Sequence, residues 1–465
     1  MAQISIIKKS DILEAKRFDA EYFKPEYLEL DNEITSYGFT PFAIYIDYLT
    51  DYTSNGSFAS LHANVRVTDE VNFAKWIRIN ELDKNMFSTC RYVDESSYNY
   101  LQKTKLFGGE LLISKTGEYL GKAFIVPDLD TKATLADNIF LIRLKNSISK
   151  EFIKVFINSN VGQSYIKRLS QGVGQPTIIK DSLRKIRIPN YNKPFQLHIE
   201  QIVKSSNQKQ ILSKQLYQEA ENILLRELDL LRYKPKHQLA FDVTNNEINQ
   251  AKRIDAEYFQ PKYKDIIKRI ENYSGGPDIV GNIFKWKKGI EVGADEYSEK
   301  GKGFVRVSDF TKYGIENVEK KISDNLFDSI KDDFQPQKGE ILFTKDGTIG
   351  ISYVLKENID GILSGAFLRL TLKKQYKDYE KECLALILNS LLCKMQIEKL
   401  SGGAIIAHLK PSDFENIKLP IIKTQIQKQI SEKLLESHKL RNESKTLLEE
   451  AKRKVEKEIE KESKI

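Results

Sequence analysis

The longest regular pattern of apolar positions lies between Gln196 and Leu231, a stretch that contains neither glycine nor proline. Apolar residues recur there at steps of three to five, which is the spacing of one face of an α-helix. The pattern therefore predicts one long amphipathic helix, whose stripe comprises Leu212, Leu216, Ala220, Ile223, Leu228 and Leu231.

A second stripe of this kind follows Pro420 and predicts a second long helix. Charged residues fill its other face, and its apolar positions are Ile426, Ile430, Leu434, Leu448, Ala451, Val455 and Ile459. Because neither helix is apolar enough to be a core helix, each needs a partner, and the other long helix is the most economical one. Packing of each helix on its own domain is the alternative.

Short runs of Ile, Val, Phe and Leu, separated by Gly and Asp or Asn turns, predict strands ahead of each long helix. Examples are residues 75–79, 110–114 and 138–143. A shorter helix is predicted at 150–158 and again at 381–389. Each globular part is therefore a mixture of α and β elements, and the fold class is α+β.

The chain repeats itself once. Residues 15–27, Ala-Lys-Arg-Phe-Asp-Ala-Glu-Tyr-Phe-Lys-Pro-Glu-Tyr, return at 251–263 as Ala-Lys-Arg-Ile-Asp-Ala-Glu-Tyr-Phe-Gln-Pro-Lys-Tyr, an offset of 251 − 15 = 236. Further matches keep nearly the same offset, as between Gly109 and Gly339 (339 − 109 = 230) and between Ile188 and Leu419 (419 − 188 = 231). A whole unit is duplicated, and the chain is not a solenoid of short repeats.

Composition narrows the class of partner and the compartment. The chain has 73 Lys and Arg against 65 Asp and Glu, and its net charge of +8 suits a nucleic-acid partner, although an ordinary basic protein is an equal alternative. The three cysteines, Cys90, Cys383 and Cys393, form no Cys-x-x-Cys pair, so we expect the reducing cytoplasm. Without a run of about 18 apolar residues, no membrane association is expected.

No catalytic motif stands out in the sequence. An Asn/Asp-Pro-Pro-aromatic segment and a glycine-rich cofactor loop, both typical of an adenine methyltransferase, are lacking. The segment from Gly117 to Lys122 is one residue short of a phosphate-binding loop, and the five histidines have no metal-ligand spacing. We therefore expect no catalytic residue, metal or cofactor, and any catalysis must come from partners.

Several short segments recur in both halves. They are Trp76-Ile-Arg-Ile79, Gly109-Glu-Leu-Leu-Ile113 and Ile188-Pro189 in the first half, and Phe304-Val-Arg-Val307, Gly339-Glu-Ile-Leu342 and Leu419-Pro420 in the second. A glycine-bearing loop precedes each long helix, residues 169–177 and 400–408. Over its whole length the chain resembles the specificity subunits of type I restriction-modification systems. The first loop departs from the family pattern, because its second glycine is displaced to Gly174.

The resemblance implies a domain organisation. Two target-recognition domains, residues 1–194 and 235–420, would be separated by the long helices at 195–234 and 421–465, which would form an antiparallel coiled coil with pseudo-twofold symmetry. A helix of about 37 residues spans ~55 Å, which at ~3.4 Å per base pair separates the recognition domains by at most ~16 base pairs.

The resemblance also implies a function. The chain would be a non-catalytic subunit that binds a bipartite, asymmetric double-stranded DNA target and docks two DNA methyltransferase (modification) subunits and, through them, a restriction/translocase subunit. One alternative is the specificity component of a methylation-based phage-defence system without the type I motor. A rival from another class is a coiled-coil scaffold that binds proteins and no DNA.

Specific readout needs donors and acceptors that loops on a rigid scaffold present to base edges. The DNA-binding candidates are Lys115, Thr116, Lys345 and Asp346 on the turns after the Gly-Glu strands, Gly172, Gly174, Gln175, Thr177, Gly402, Gly403, His408 and Lys410 on the glycine-bearing loops, and Arg78 and Arg306. Structural ion pairs are the alternative for the two arginines, and plain solvated charges for the turn lysines. The partner-interface candidates are Tyr22, Phe23, Tyr258, Phe259, Leu212, Leu216, Ile426 and Ile430.

Overall fold

A computed structural model describes residues 4–83, 90–172, 174–316, 318–401 and 408–462. The chain divides into two compact units. Unit 1 combines Met1–Gln208 with Glu443–Ile465, and unit 2 is Lys209–Asn442. Each unit therefore contains one stretch of each long helix.

Unit 1 is built on two sheets and several short helices. An antiparallel sheet has the strand order β2-β10-β7-β8, a mixed sheet has the order β3-β5-β4-β9-β6, and β1 pairs with β11. The strands are β1 (Phe39–Pro41), β2 (Ile46–Asp51), β3 (Val67–Thr68), β4 (Ala74–Ile77), β5 (Arg91–Val93), β6 (Lys105–Leu106), β7 (Leu111–Ser114), β8 (Ala123–Ile125), β9 (Ala133–Leu135), β10 (Ile139–Leu144) and β11 (Arg187–Pro189). The helices are α1 (Lys9–Ala15), α2 (Pro25–Tyr37), α3 (Phe58–Asn64), α4 (Ile79–Asp83), α5 (Glu95–Tyr100), α6 (Lys150–Asn158), α7 (Asn160–Leu169), α8 (Lys180–Arg184) and the long α9 (Lys193–Glu227).

Unit 2 repeats this plan. Its main antiparallel sheet has the order β13-β22-β19-β20, a mixed sheet has the order β14-β18-β15-β21, and β12 pairs with β23 and β16 with β17. The strands are β12 (Pro277–Ile279), β13 (Phe284–Lys288), β14 (Tyr297–Ser298), β15 (Lys302–Val305), β16 (Phe310–Thr311), β17 (Gly314–Ile315), β18 (Lys321–Ile322), β19 (Ile341–Thr344), β20 (Ser352–Val354), β21 (Gly361–Leu363), β22 (Phe367–Leu372) and β23 (Lys418–Pro420). The helices are α10 (Asn245–Ala251), α11 (Pro261–Glu271), α12 (Val280–Ile283), α13 (Asp324–Phe334), α14 (Lys381–Asn389), α15 (Leu391–Ser401), α16 (Pro411–Glu415) and the long α17 (Thr424–Glu462).

The main sheet of each unit is buried on both faces, which explains its continuous apolar strands. In unit 1, Leu111 and Ile113 pack with α6, while the intervening Leu112 packs with Ile77 and Leu135 of the mixed sheet. This is the period of two expected of a strand. The core therefore lies in two layers, one on each side of the main sheet.

An asparagine side chain anchors the edge strand of each main sheet. The side chain of Asn158 accepts a hydrogen bond from the amide of Ala123 (2.9 Å) and donates one to its carbonyl (2.8 Å). In unit 2 Asn389 does the same for Ser352, at 2.8 and 2.7 Å. The two anchors confirm that the predicted duplication extends to the folded structure.

The two long helices run antiparallel within each unit. In unit 1, Tyr191, just before α9, donates to the carbonyl of Val455, and Ser206 contacts Ser444 with 2.8 Å between the hydroxyl oxygens. In unit 2 the hydroxyl oxygens of Ser213 and Ser437 lie 3.1 Å apart, and Lys433 pairs with Glu219. In both units, residues with higher numbers on α9 contact residues with lower numbers on α17, as expected for antiparallel helices.

The buried face of α9 differs from the predicted stripe. Ser213 and Tyr217 are buried there, whereas Leu212 is 46% exposed and Leu231 lies beyond the end of the helix. Hydrophobicity misses this face because its middle consists of serines, which are small and satisfy each other by hydrogen bonding. On α17 the predicted positions from Ile430 onwards are largely buried.

The other predicted elements are confirmed with one exception. Helices α6 and α14 cover 150–158 and 381–389, and the predicted strands at 110–114 and 138–143 are β7 and β10. The strand predicted to reach Ile79 ends at Ile77, because the carboxylate of Glu81 accepts the amide of Arg78 and starts α4. The mixed α/β fold with two repeated units and two long helices agrees with the predicted fold class.

Candidate nucleic-acid interface

The turn after β7 and the glycine-bearing loop come together at one end of the main sheet of unit 1. Gln171 and Thr177 exchange two backbone hydrogen bonds of 2.9 and 2.8 Å, which close the loop. The carbonyl of Lys115 accepts the amide of Ile178 (2.9 Å), and the hydroxyl of Thr177 donates to that of Thr116 (3.0 Å). Three predicted DNA-binding residues, Lys115, Thr116 and Thr177, therefore share one surface.

The described residues between Gln171 and Thr177 are exposed. Gly172 has φ +101, a conformation that disfavours any residue with a side chain, and a Cβ added to Gly174 would meet nothing within 4 Å. Gln175 is exposed between Gly174 and Thr177. The backbone here is open to close approach by another molecule.

Asp51, a residue that the sequence did not single out, organises the charges at this end. Its carboxylate is 2.8 Å from the ammonium of Lys115 and 2.9 Å from that of Lys180, and Ser54 donates to it at 2.7 Å. Burial alone raises the pKa of Asp51, but hydrogen bonds from Lys115, Lys180 and Ser54 outweigh it and hold the pKa well below its usual value. One buried acid thus holds two lysines and neutralises half of their combined charge.

Unit 2 repeats the arrangement with other side chains. The carbonyl of Lys345 accepts the amide of Leu409 (2.9 Å), and Asp346 pairs with His408 across a β-bridge. The carboxylate of Asp346 is 2.8 Å from Nδ1 of His408 and also contacts Lys345. Lys410 is exposed just before α16, whereas Gly402 and Gly403 lie outside the described residues.

The two units carry opposite charges at one matching position. Asp51 pairs with Phe140 of β10, and Lys288 pairs with the corresponding Leu368 of β22. Unit 2 therefore has a lysine where unit 1 has the acid, and Asp346 is the residue that holds Lys345. This difference in charge cannot be read from the sequence, because it depends on which residues the paired strands bring opposite each other.

Arg78 and Arg306 each have an acidic partner. The guanidinium of Arg78 binds Glu81 (Nε to Oε1, 2.9 Å), and that of Arg306 lies 3.5 Å from Asp309. Both acids are buried, and both also accept the backbone amide of their arginine. The side chains of Arg78 and Arg306 are 44% and 33% exposed, so neither is fully buried by its ion pair.

The aromatic pairs of the repeated segment pack within their own units. Phe23 and Phe259 are buried, and the rings of Tyr22 and Tyr258 each have two cations within 5.0 Å of their centroids. Their predicted contact with a partner stays a prediction.

The partner-interface candidates on the long helices differ in exposure. Leu212 is 46% exposed, and Leu216 and Ile426 are half-buried. Ile430 is fully buried, because α17 packs its apolar stripe on the core of unit 2, which leaves Ile430 no surface for a separate partner.

The described part of the chain contains no cluster of three or more His, Cys, Asp or Glu side chains placed to hold a metal ion. None of its described helices is long and apolar enough to cross a membrane.

The sequence model of the type I restriction modification DNA specificity domain matches the chain twice, at residues 61–222 and 279–453. The chain belongs to this family of type I specificity proteins. The two matches fall one in each half of the duplicated specificity protein, and together they cover both glycine-bearing loops and most of both long helices.

Two solved structures are similar to this specificity protein at low identity. One is the crystal structure of a type I restriction-modification system S subunit from M. genitalium, with 15% identity, 91% of this chain and 95% of that chain covered, and a TM-score of 0.41. Another is the HsdS subunit from Thermoanaerobacter tengcongensis, with 12% identity, 91% and 96% coverage and a TM-score of 0.27. A search of curated proteins found no match.

Proposed function

We propose that this specificity protein is the DNA-recognition subunit of a type I restriction-modification system. It binds a bipartite, asymmetric double-stranded DNA target in the cytoplasm and contributes no catalytic residue, metal or cofactor of its own. Residues 1–194 and 235–420 serve as target-recognition domains, joined by the helical segments 195–234 and 421–465. Catalysis belongs to two docked methyltransferase subunits and to the restriction subunit that they recruit.

One observation carries the proposal: each unit ends its main sheet in the same pair of loops, but with different polar side chains. Unit 1 offers Thr116 and Thr177 there, and unit 2 offers Asp346 and His408. A common scaffold with different donors and acceptors suits two readers of two different base sequences. The lysines of both loops suit the phosphates that flank the bases.

The test is selection of duplexes by the full chain, co-expressed with its methyltransferase, from a random library at physiological salt. We expect a two-part motif with a fixed gap. Thr177→Ala should change one part of the motif and His408→Ala the other, while Asp47→Asn, an exposed site on β2, should change neither. A flat enrichment, together with intact binding of protein partners, would instead support a scaffold. A complex that methylates its site but recruits no ATP-dependent restriction subunit would support a defence system without the motor.

A further inference from the structure

The most faithful repeat in the chain, residues 15–27 and 251–263, contains none of the loops just described, yet several of its contacts recur in both units. Lys16 and Lys252 both adopt the left-handed backbone conformation, with φ of 53 and 51. The arginine that follows each of them forks onto the aspartate two residues later. The distances are 2.6 Å for both bonds of Arg17 to Asp19, and 2.7 and 2.8 Å for those of Arg253 to Asp255.

Each of these arginines makes one further hydrogen bond to a distant part of its unit. Arg17 donates to the carbonyl of Ser170 (3.2 Å), the residue that caps the C-terminal end of α7. Arg253 donates to the carbonyl of Leu400 (3.0 Å) in the last turn of α15. A helix leaves its last carbonyls without partners, and a cation there is favoured by the helix dipole.

A tyrosine ring also contacts the cations at the same helix end. The ring of Tyr22 lies 5.0 Å from Arg17 and 4.5 Å from Arg168, and Arg168 stands in the last turn of α7. In unit 2 the ring of Tyr258 lies 4.6 Å from Arg253 and 4.5 Å from Lys399 of α15. Each helix end thus receives one hydrogen bond from an arginine, which its aspartate fixes in place, and one cation–π contact from a tyrosine.

The carbonyl that Arg17 contacts lies at the start of the glycine-bearing loop of unit 1. In unit 1, Ser170 is followed by Gln171, whose amide and carbonyl close the loop on Thr177. A shift at Ser170 therefore moves Thr177 relative to Thr116, the pair that unit 1 presents at its sheet end. A residue that only holds a loop in place does not depend on which bases the loop reads. This explains why the segment is nearly identical in two halves whose loops differ.

We propose that Arg17 and Arg253 are positioning residues for DNA readout, each of which sets the accuracy of one half-site only. This inference rests on the proposed function and extends it to residues that do not touch DNA. Loss of a fork lets the loop move, so contacts to base edges suffer, whereas phosphate contacts, which tolerate displacement, persist.

The experiment uses the full chain with its co-expressed methyltransferase and the half-site-resolved motif obtained from a random duplex library. Arg17→Ala should lower discrimination against wrong bases on the order of tenfold in one half-site, the size expected for one base contact. The other half-site should stay unchanged. Arg253→Ala should give the mirror result. The matched control is Phe18→Ala, because Phe18 lies beside the fork with its side chain 85% exposed, and both half-sites should stay intact.

Two further measurements separate positioning from general stability. Arg17→Lys keeps the charge but cannot form the planar fork, so it should cause an intermediate loss at the same half-site. In Arg17→Ala the amide hydrogens of Gln171 and Thr177 should exchange faster, with or without DNA. Equal weakening of both half-sites, or a protected loop and an unchanged motif, would overturn the inference while the parent still selects its two-part motif. A parent that selects no such motif would overturn the proposed function itself.

Discussion

Replacing Asp51 by asparagine tests whether the sheet end of unit 1 meets DNA phosphates. The carboxylate is 6% exposed, and the side chains of Lys115 and Lys180 are 16% and 30% exposed. Removing one partner of a fully buried ion pair costs about 3–5 kcal/mol. Because these lysines can turn towards water, we expect unit 1 to lose only ~1–3 kcal/mol and to remain folded.

The larger effect should appear in the salt dependence of DNA binding. Each phosphate contact contributes about 0.9 to the slope of log affinity against log salt. Two lysines released from Asp51 should therefore steepen the slope by up to ~1.8 for any duplex, whatever its sequence. Fluorescence anisotropy on a non-specific duplex, between about 50 and 200 mM salt, measures this slope directly.

Asp47→Asn is the matched control, since it removes the same charge from an exposed site on the same strand and leaves the lysine cluster intact. Its slope should stay close to that of the parent. If the two variants change the slope equally, or if folded Asp51→Asn leaves it unchanged, Lys115 and Lys180 do not meet phosphate, and this end of the sheet is not the DNA surface.

Three further predictions concern the stability of unit 2. Each is measured by urea unfolding, followed through the fluorescence of Trp286, the tryptophan of this unit. Burial among aromatic rings, with Lys356 nearby, lowers the pKa of His438 to about 3. Its contribution to stability is therefore complete above pH ~6.5 and falls by about 1.4 kcal/mol per pH unit below that, a loss that His438→Asn should remove. Asn389→Ala should cost ~2–4 kcal/mol, because it leaves a buried amide and carbonyl of the edge strand unpaired. Arg369→Leu should cost ~3–5 kcal/mol by stranding the buried Glu340, and the double change Arg369→Leu with Glu340→Leu should recover most of that loss.

The sequence predicts those elements in which hydrophobicity and burial coincide. Helices α6 and α14 are buried along apolar faces, and their predicted bounds are confirmed. The packed face of α9 is predicted only in part: Ala220 of the predicted stripe is buried, but Ser206 and Ser213 lie at the closest contacts with α17. A polar residue in a helix indicates solvent unless its partner is known.

The candidate site shows the same limit. The repeat and the glycine-bearing loops identify Thr116, Thr177 and their counterparts in unit 2 without a structure. Asp51 could not be found in this way, because a single acid at the end of a strand carries no signal until strand pairing brings Lys115 and Lys180 to it. The contact of Arg17 with Ser170 joins residues 153 positions apart, and no local pattern reports it.

The discontinuity of unit 1 has a consequence for biosynthesis. This unit consists of residues 1–208 and 443–465, so the 234 residues from 209 to 442 separate its two parts. At about 5–20 residues per second, a ribosome needs roughly 10–50 s to add the missing helical segment after the first part has emerged. During that time the surface that will receive Val455 and Ser444 is uncovered. A nascent chain therefore exposes an unfinished core that chaperones must shield. A premature stop codon anywhere before position 443 leaves unit 1 incomplete as well as unit 2.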